Sequence, residues 1–136
     1  MLFRSALALN GDLEAAWLGR GTALQDLGRL DEALASYDNA LRQAPNSVGA
    51  LCEKGNALRQ MGRPDDALPC YEKAVALQPN HPALQFNLAG LLNDLQCYEA
   101  AVAAFDHALT IEPRYADAWL GRGTALQNLK IGRAHV

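Results

Sequence analysis

A period of thirty-four residues constrains this chain more than any other property. Ala33, Ala67 and Ala101 fall at that step, and so do Ala40, Ala74 and Ala108. Tyr37, Tyr71 and Phe105 keep it, as do Pro45, Pro79 and Pro113. Gly21, Gly55 and Gly123 follow it too, with Ala89 standing in once. Registers held in phase like this are not an accident of composition. They mark an array of like units, each burying its apolar face only against its neighbours. Such an array sets how a surface is built and leaves open what that surface binds.

Each unit reads as two helices. Trp17, Leu18, Gly21, Leu24 and Leu27 recur at three- and four-residue steps, which is one face of a helix. Gly28 stops it. Asp31 and Glu32 open the next helix, where carboxylates complement the positive end of the helix dipole. Ala33, Leu34, Tyr37, Ala40 and Leu41 form its apolar face, and Pro45 follows where a helix cannot easily continue. Gly21 and Gly55 are expected to face Ala33 and Ala67, so that two backbones approach closely. The aromatic register is expected to fill the space between helices and toward the next unit. A glycine inside a helix costs about 1 kcal/mol relative to alanine, so its repetition implies a contact that outweighs this cost.

The spacing resembles the tetratricopeptide repeat family: a tryptophan, then leucine–glycine, then an aromatic on the first helix, and alanine, an aromatic four later and a terminal proline on the second. The matching residues are Trp17, Gly21, Leu24, Ala33, Tyr37 and Pro45, then Leu51, Gly55, Leu58, Ala67, Tyr71 and Pro79. The third unit offers Ala89, Leu92, Ala101, Phe105 and Pro113. Arg20, Lys54 and Arg122 stand where leucine is usual, and Gln85 stands in place of the tryptophan. The resemblance covers nearly the whole chain. It implies an all-α fold, an α-solenoid of antiparallel helical hairpins forming a right-handed superhelix.

In this frame full repeats occupy 14–47, 48–81 and 82–115. Residues 1–13 are read as the end of a preceding repeat, and 116–129 as the first helix of a truncated one. Phe3 and Ala6, one period before Tyr37 and Ala40, make the apolar start part of a repeat helix, while Arg4 argues against a signal peptide. The stretch WLGRGTALQ occurs at 17–25 and again, unchanged, at 119–127. After it the pattern calls for a glycine and a new helix, yet the chain reads KIGRAHV. IGRAHV is the in-frame translation of a widely used sequencing-library adapter, so 130–136 is expected to be a non-native tail on a longer protein.

Composition excludes several classes. The net charge of −3 carries no basic stripe for nucleic acid, and no apolar run reaches the length of a membrane span. Cys52, Cys70 and Cys97 form no CxxC pair, which points to unpaired thiols in a reducing, cytoplasmic setting. His81, His107 and His135 are scattered, so no metal site and no cofactor is expected. Gly19 and Gly21 give a GxG, but inside a helix with no strand before it. The carboxylates Asp31, Glu32, Asp65, Asp66 and Glu99 recur at helix starts, which is capping and not acid–base chemistry. No catalytic constellation is visible, and the chain is read as a non-enzyme.

What remains is the inner surface. In tetratricopeptide arrays the first helix of each repeat lines a concave groove, and the resemblance places there Leu18, Thr22, Gln25, Cys52, Asn56, Arg59, Phe86, Asn93, Leu120, Thr124 and Gln127. Leu18, Cys52, Phe86 and Leu120 would form an apolar stripe. The amides would hydrogen-bond a peptide backbone, since each both donates and accepts. The expected function is a protein-interaction scaffold that takes an extended peptide or a partner helix, with self-association through the uncapped ends. Some relatives bind acidic chaperone tails through a lysine-rich clamp, but Arg59 is the one cation in this wall. The alternative is the substrate-recruiting arm of an enzyme such as an O-linked N-acetylglucosamine transferase-like glycosyltransferase. The asparagine ladder of those enzymes is matched by Asn87, with Gly19, Glu53 and Gly121 at its other places.

Overall fold

A computed structural model describes the backbone of residues 2–134 and the side chains of residues 11–132. The side chains of Phe3 and Ala6 lie outside the described residues, as do His135 and Val136. Among those described there are seven helices and no strand: α1 (Leu2–Asp26), α2 (Leu30–Gln43), α3 (Val48–Gln60), α4 (Pro64–Leu77), α5 (Pro82–Asp94), α6 (Tyr98–Ile111) and α7 (Ala116–Ala134). The all-α reading of the sequence holds.

The helix ends follow from residues set one period apart. Gly28, Gly62 and Gln96 all adopt positive φ, at 79°, 73° and 63°. At each, the next amide reaches back to close the last turn: Arg29 to the Leu24 carbonyl, Arg63 to Leu58 and Cys97 to Leu92, at 2.8–2.9 Å. The fourth position of this register is Lys130. No left-handed residue interrupts the chain there, and α7 runs on to Ala134. The other turn is marked by Pro45, Pro79 and Pro113, past the ends of α2, α4 and α6. One period before Pro45 stands Gly11. A glycine weakens a helix by about 1 kcal/mol where a proline costs about 3, so α1 is continuous from Leu2. The repeat boundaries expected after 13 and 129 therefore fall inside continuous helices.

The chain divides into two compact units, residues 1–70 and 71–136, with the division inside α4. In the first unit α1 packs along α2, α2 packs on α3, and α1 also touches α3. Leu24, Ala33, Tyr37 and Ala57 make a core there, with Leu18 and Leu34 against it. In the second unit α5 packs on α6, α6 on α7, and α5 touches α7. Its core gathers Ala89, Ala101, Ala104, Phe105, Ala108, Leu109, Ala118 and Ala125.

The expected close approach at Gly21 is met first by an aromatic ring. A Cβ there would lie 2.4 Å from Cε1 of Tyr37. Ala33 is fully buried beside it in the same core.

The departures from the family pattern also find partners. Gln85 is buried and donates from Nε2 to the Pro79 carbonyl at 3.0 Å. One period on, the Trp119 indole donates from Nε1 to the Pro113 carbonyl at 2.8 Å. The glutamine thus keeps the hydrogen bond that tryptophan makes. Where leucine is usual, Lys54 pairs with Asp38 of α2 at 2.8 Å and Arg122 with Asp106 of α6 at 2.5 Å.

Candidate binding surface

The odd-numbered helices meet within each unit, and an amide pair marks the contact in both. Gln25 of α1 donates from Nε2 to Oε1 of Gln60 on α3 at 2.9 Å. Its Oε1 accepts the Tyr37 hydroxyl at 2.5 Å, which fixes the orientation of the amide. Two periods further, Asn128 of α7 donates from Nδ2 to Oδ1 of Asn93 on α5 at 3.5 Å, a longer contact. The same residue positions pair in both units, with glutamines in one and asparagines in the other. A primary amide has two donor hydrogens and an acceptor oxygen, so a paired amide keeps capacity for a further ligand.

The remaining wall residues divide into three groups. Thr22 and Thr124 are exposed, and each hydroxyl donates back to the carbonyl four residues before it, Leu18 and Leu120, at 3.0 and 3.1 Å. Asn56 and Arg59 are half-buried on α3, and Gln127 is exposed on α7. The residues of the expected apolar stripe differ in exposure. Leu18 packs against the first core, and a Cβ on Gly49 at the start of α3 would lie 3.4 Å from its Cδ2. Phe86 is held edge-on to Phe105 at 5.9 Å and stacked on Tyr115 at 5.0 Å. Leu120, by contrast, is 72% exposed. The register of Leu18 and Phe86 meets the following segment of chain, and these two side chains are absorbed in packing there.

Burial pushes the Cys52 thiol up to about 11, with Glu53 adding to the shift, and raises Cys70 in the same direction. Both thiols stay protonated at neutral pH and are poor nucleophiles. Cys97 is exposed, and its sulfur contacts the Leu95 carbonyl. Among the described residues no three His, Cys, Asp or Glu side chains cluster to hold a metal, and no helix is long and apolar enough to cross a membrane. An open hollow of about 340 Å³ lies between α6 and α7, lined by Asp106, Leu109, Thr110, Trp119 and Arg122.

Sequence reading missed the pairing partner Asn128. Its signal was present: Gln60 and Asn128 are two periods apart, and both carry a primary amide. The pair is offset by thirty-five residues, one more than the period, because it joins neighbouring helices and not equivalent positions.

Two tetratricopeptide repeat models match the sequence, one over residues 12–80 and the other over 52–116. No curated protein matches it. Among solved structures, MamA superposes with a TM-score of 0.81 at 24% identity, over 88% of this chain and 65% of its own. The chain thus spans just under two thirds of that protein. The first tetratricopeptide domain of Spaghetti (RPAP3), bound to the HSP90 peptide SRMEEVD, gives 0.83 at 19% identity, over 88% of this chain and 94% of its own. The O-GlcNAc transferase of Thermobaculum terrenum gives 0.77 at 26% identity, over 86% of this chain and 22% of its own.

Proposed function

We propose a function from one premise: this chain belongs to the tetratricopeptide repeat family. It is a protein-interaction module that takes an extended peptide segment, or a partner helix, on the surface that the odd-numbered helices present within each unit. The observation that carries this reading is the amide pair repeated in both units, Gln25 with Gln60 and Asn93 with Asn128. In each unit such a pair suits a peptide backbone, which offers a donor and an acceptor at every residue. Thr22, Asn56 and Arg59 add polar groups on the helices of the first pair, and Thr124 and Gln127 on those of the second. Leu18 and Cys52 add apolar area in the first unit, and Phe86 and Leu120 in the second. Arg59 is the one cation among these residues, so a neutral segment read through its backbone fits better than an acidic tail.

The test is selection of ligands from an unbiased peptide library on the intact chain, followed by calorimetry on the best binder. Gln60→Ala and Asn93→Ala should weaken binding by about 1–2 kcal/mol each, as central contacts do, with circular dichroism unchanged. Glu72→Lys, at an exposed position on α4, should leave affinity unchanged. If Glu72→Lys abolished binding and the amide changes did not, the ligand would sit on the opposite face and this assignment would fail.

A second reading rests on the likeness to the Thermobaculum terrenum O-GlcNAc transferase, whose chain this one matches over 22% of its length. The repeats would then recruit acceptor segments for a glycosyltransferase. Selected peptides would be enriched in serine and threonine hydroxyls, and a selection without that enrichment removes this reading.

A further inference from the structure

The two amide pairs run in opposite directions. In the first unit the earlier helix donates, from Gln25 Nε2 to Gln60 Oε1 at 2.9 Å. In the second unit the later helix donates, from Asn128 Nδ2 to Asn93 Oδ1 at 3.5 Å. Gln25 and Asn93 stand two periods apart, as do Gln60 and Asn128, so the positions are equivalent and the polarity differs. The cause lies beneath the surface. Tyr37 of α2 is fully buried, and its hydroxyl meets the Gln25 amide at 2.5 Å. That length suits an O–H···O contact, since N–H···O contacts centre near about 2.9 Å. The Gln25 oxygen therefore faces Tyr37, and the nitrogen is turned toward Gln60. Burial pushes the Tyr37 hydroxyl above its ordinary pKa, so it keeps the proton it donates. Phe105, two periods on from Tyr37, has no hydroxyl. Asn93 Oδ1 is left to accept from Asn128, and the order of donors reverses.

We propose that Tyr37 is a positioning residue: through Gln25 it turns the N–H groups of Gln60 toward the ligand, so that the first unit takes a backbone carbonyl of an extended peptide at Gln60. This deepens the peptide-binding reading above and rests on it. Gln60 is exposed, and its oxygen is engaged by Gln25. A primary amide held by its oxygen presents its two hydrogens, so the ligand group that suits it is an acceptor. The relay adds strength as well as direction. Hydrogen bonds that run in one sense polarise each other, and Tyr37, Gln25 and Gln60 donate in sequence. In the second unit it is the Asn128 nitrogen that is engaged, which leaves that amide its oxygen to offer. The ligand group that suits Asn128 is a backbone N–H. Discrimination then lies in which backbone group meets each pair, and a buried hydroxyl out of the ligand's reach sets it.

The probe is a neutral peptide of alternating alanine and serine with blocked ends, titrated into the isotopically labelled intact chain up to the millimolar range. Nuclear magnetic resonance should show the Gln60 side-chain N–H signals moving saturably. Gln60→Glu keeps the oxygen that accepts from Gln25 but has no N–H, and should weaken this binding by about tenfold or more, because a carbonyl then faces a carboxylate. Tyr37→Phe keeps the ring over Gly21 and removes the hydroxyl alone. It should weaken binding about three- to tenfold, the worth of one hydrogen bond. It should also shift the Gln25 and Gln60 side-chain signals of the free chain, while those of Asn93 and Asn128 stay in place. A thermal melt close to the parent's separates this from a loss of packing. If no signal on α1 or α3 moves with the probe, peptide binding by the first unit fails and this inference fails with it. If the signals move saturably but Gln60→Glu binds as tightly or more so, or Tyr37→Phe binds undiminished, peptide binding stands and the role of Tyr37 is overturned.

Discussion

The two copies of WLGRGTALQ share every residue and bury different faces. In α1, Gly21 and Leu24 are buried while Gly19 and Ala23 are exposed. In α7 the counterparts Gly123 and Leu126 are exposed, and Ala125 is fully buried beside half-buried Gly121. The rings divide in the same way. A Cβ on Gly21 would meet Tyr37 of the following helix, and one on Gly121 would meet Phe105 of the preceding helix, each at 2.4 Å. The sequence thus carries two packing faces at once. Each glycine matters only where a neighbour presents an aromatic ring to it. In a repeat array, local sequence sets the helix and its two candidate faces, while the order of neighbours decides which is buried.

The sharpest test of this division removes the rings. Tyr37→Ala and Phe105→Ala should each cost about 3–5 kcal/mol, because both side chains are almost wholly buried. Each should damage the copy it covers: the first the side of α1 that faces α2, the second the side of α7 that faces α6. Urea titration gives the totals, and hydrogen exchange along α1 and α7 gives the location. Equal loss of protection in both helices after either change would break the comparison. Next come the leucines. Leu24→Ala should cost about 2–3 kcal/mol and Leu126→Ala under about 1 kcal/mol, although they are the same residue in the same stretch.

The four glycines should then separate into two pairs. Gly21→Ala and Gly121→Ala force a methyl into a ring edge, and overpacking of that kind costs about 1–3 kcal/mol. Gly19→Ala and Gly123→Ala meet nothing within 4 Å and should gain up to about 1 kcal/mol from helix propensity alone. Thermal melts of the four variants read the crossed pattern directly. If both members of either copy moved the same way, identical sequence would have imposed identical packing.

Much of this was legible before the structure. Alanine, aromatic and proline registers required helical hairpins, because each register has a packing or termination reason at one period. Gly28 and Gly62 were readable as stops for the same reason. Gln96 was not, since a non-glycine at positive φ is rare and nothing in its own chemistry predicts it. Continuity at the two ends was readable only by absence: glycine at 11 where proline is due, lysine at 130 where glycine is due. The wall was less legible. Helical geometry lists which side chains share a face, and so it grouped Leu18, Phe86 and Leu120 together. It does not say that a following segment covers the first two. The Gln25–Gln60 and Asn93–Asn128 pairs depend on how neighbouring helices are offset, which no periodicity along one chain encodes.

The smallest expected effect lies in the arginines of the two copies. Arg20 donates from Nη1 to the Ser36 hydroxyl of α2 at 2.5 Å and lies 5.9 Å from the centre of the Trp17 ring. Arg122, its counterpart, donates to the Asp106 carboxylate of α6 at 2.5 Å. One therefore points to the following helix and meets a neutral acceptor, while the other points to the preceding helix and meets a charge. Double-mutant cycles with alanine should give a coupling of about 0.5–1.5 kcal/mol for Arg20 with buried Ser36. Arg122 with Asp106 should give about 0.2–1 kcal/mol, because both partners stay partly exposed. Salt distinguishes them. Raising ionic strength to 1 M shortens the screening length to about 3 Å and should remove most of the Arg122 coupling, leaving that of Arg20 unchanged. Equal salt sensitivity in the two cycles would mean that both arginines work through charge alone, and the assignment of opposite neighbours would lose its electrostatic support.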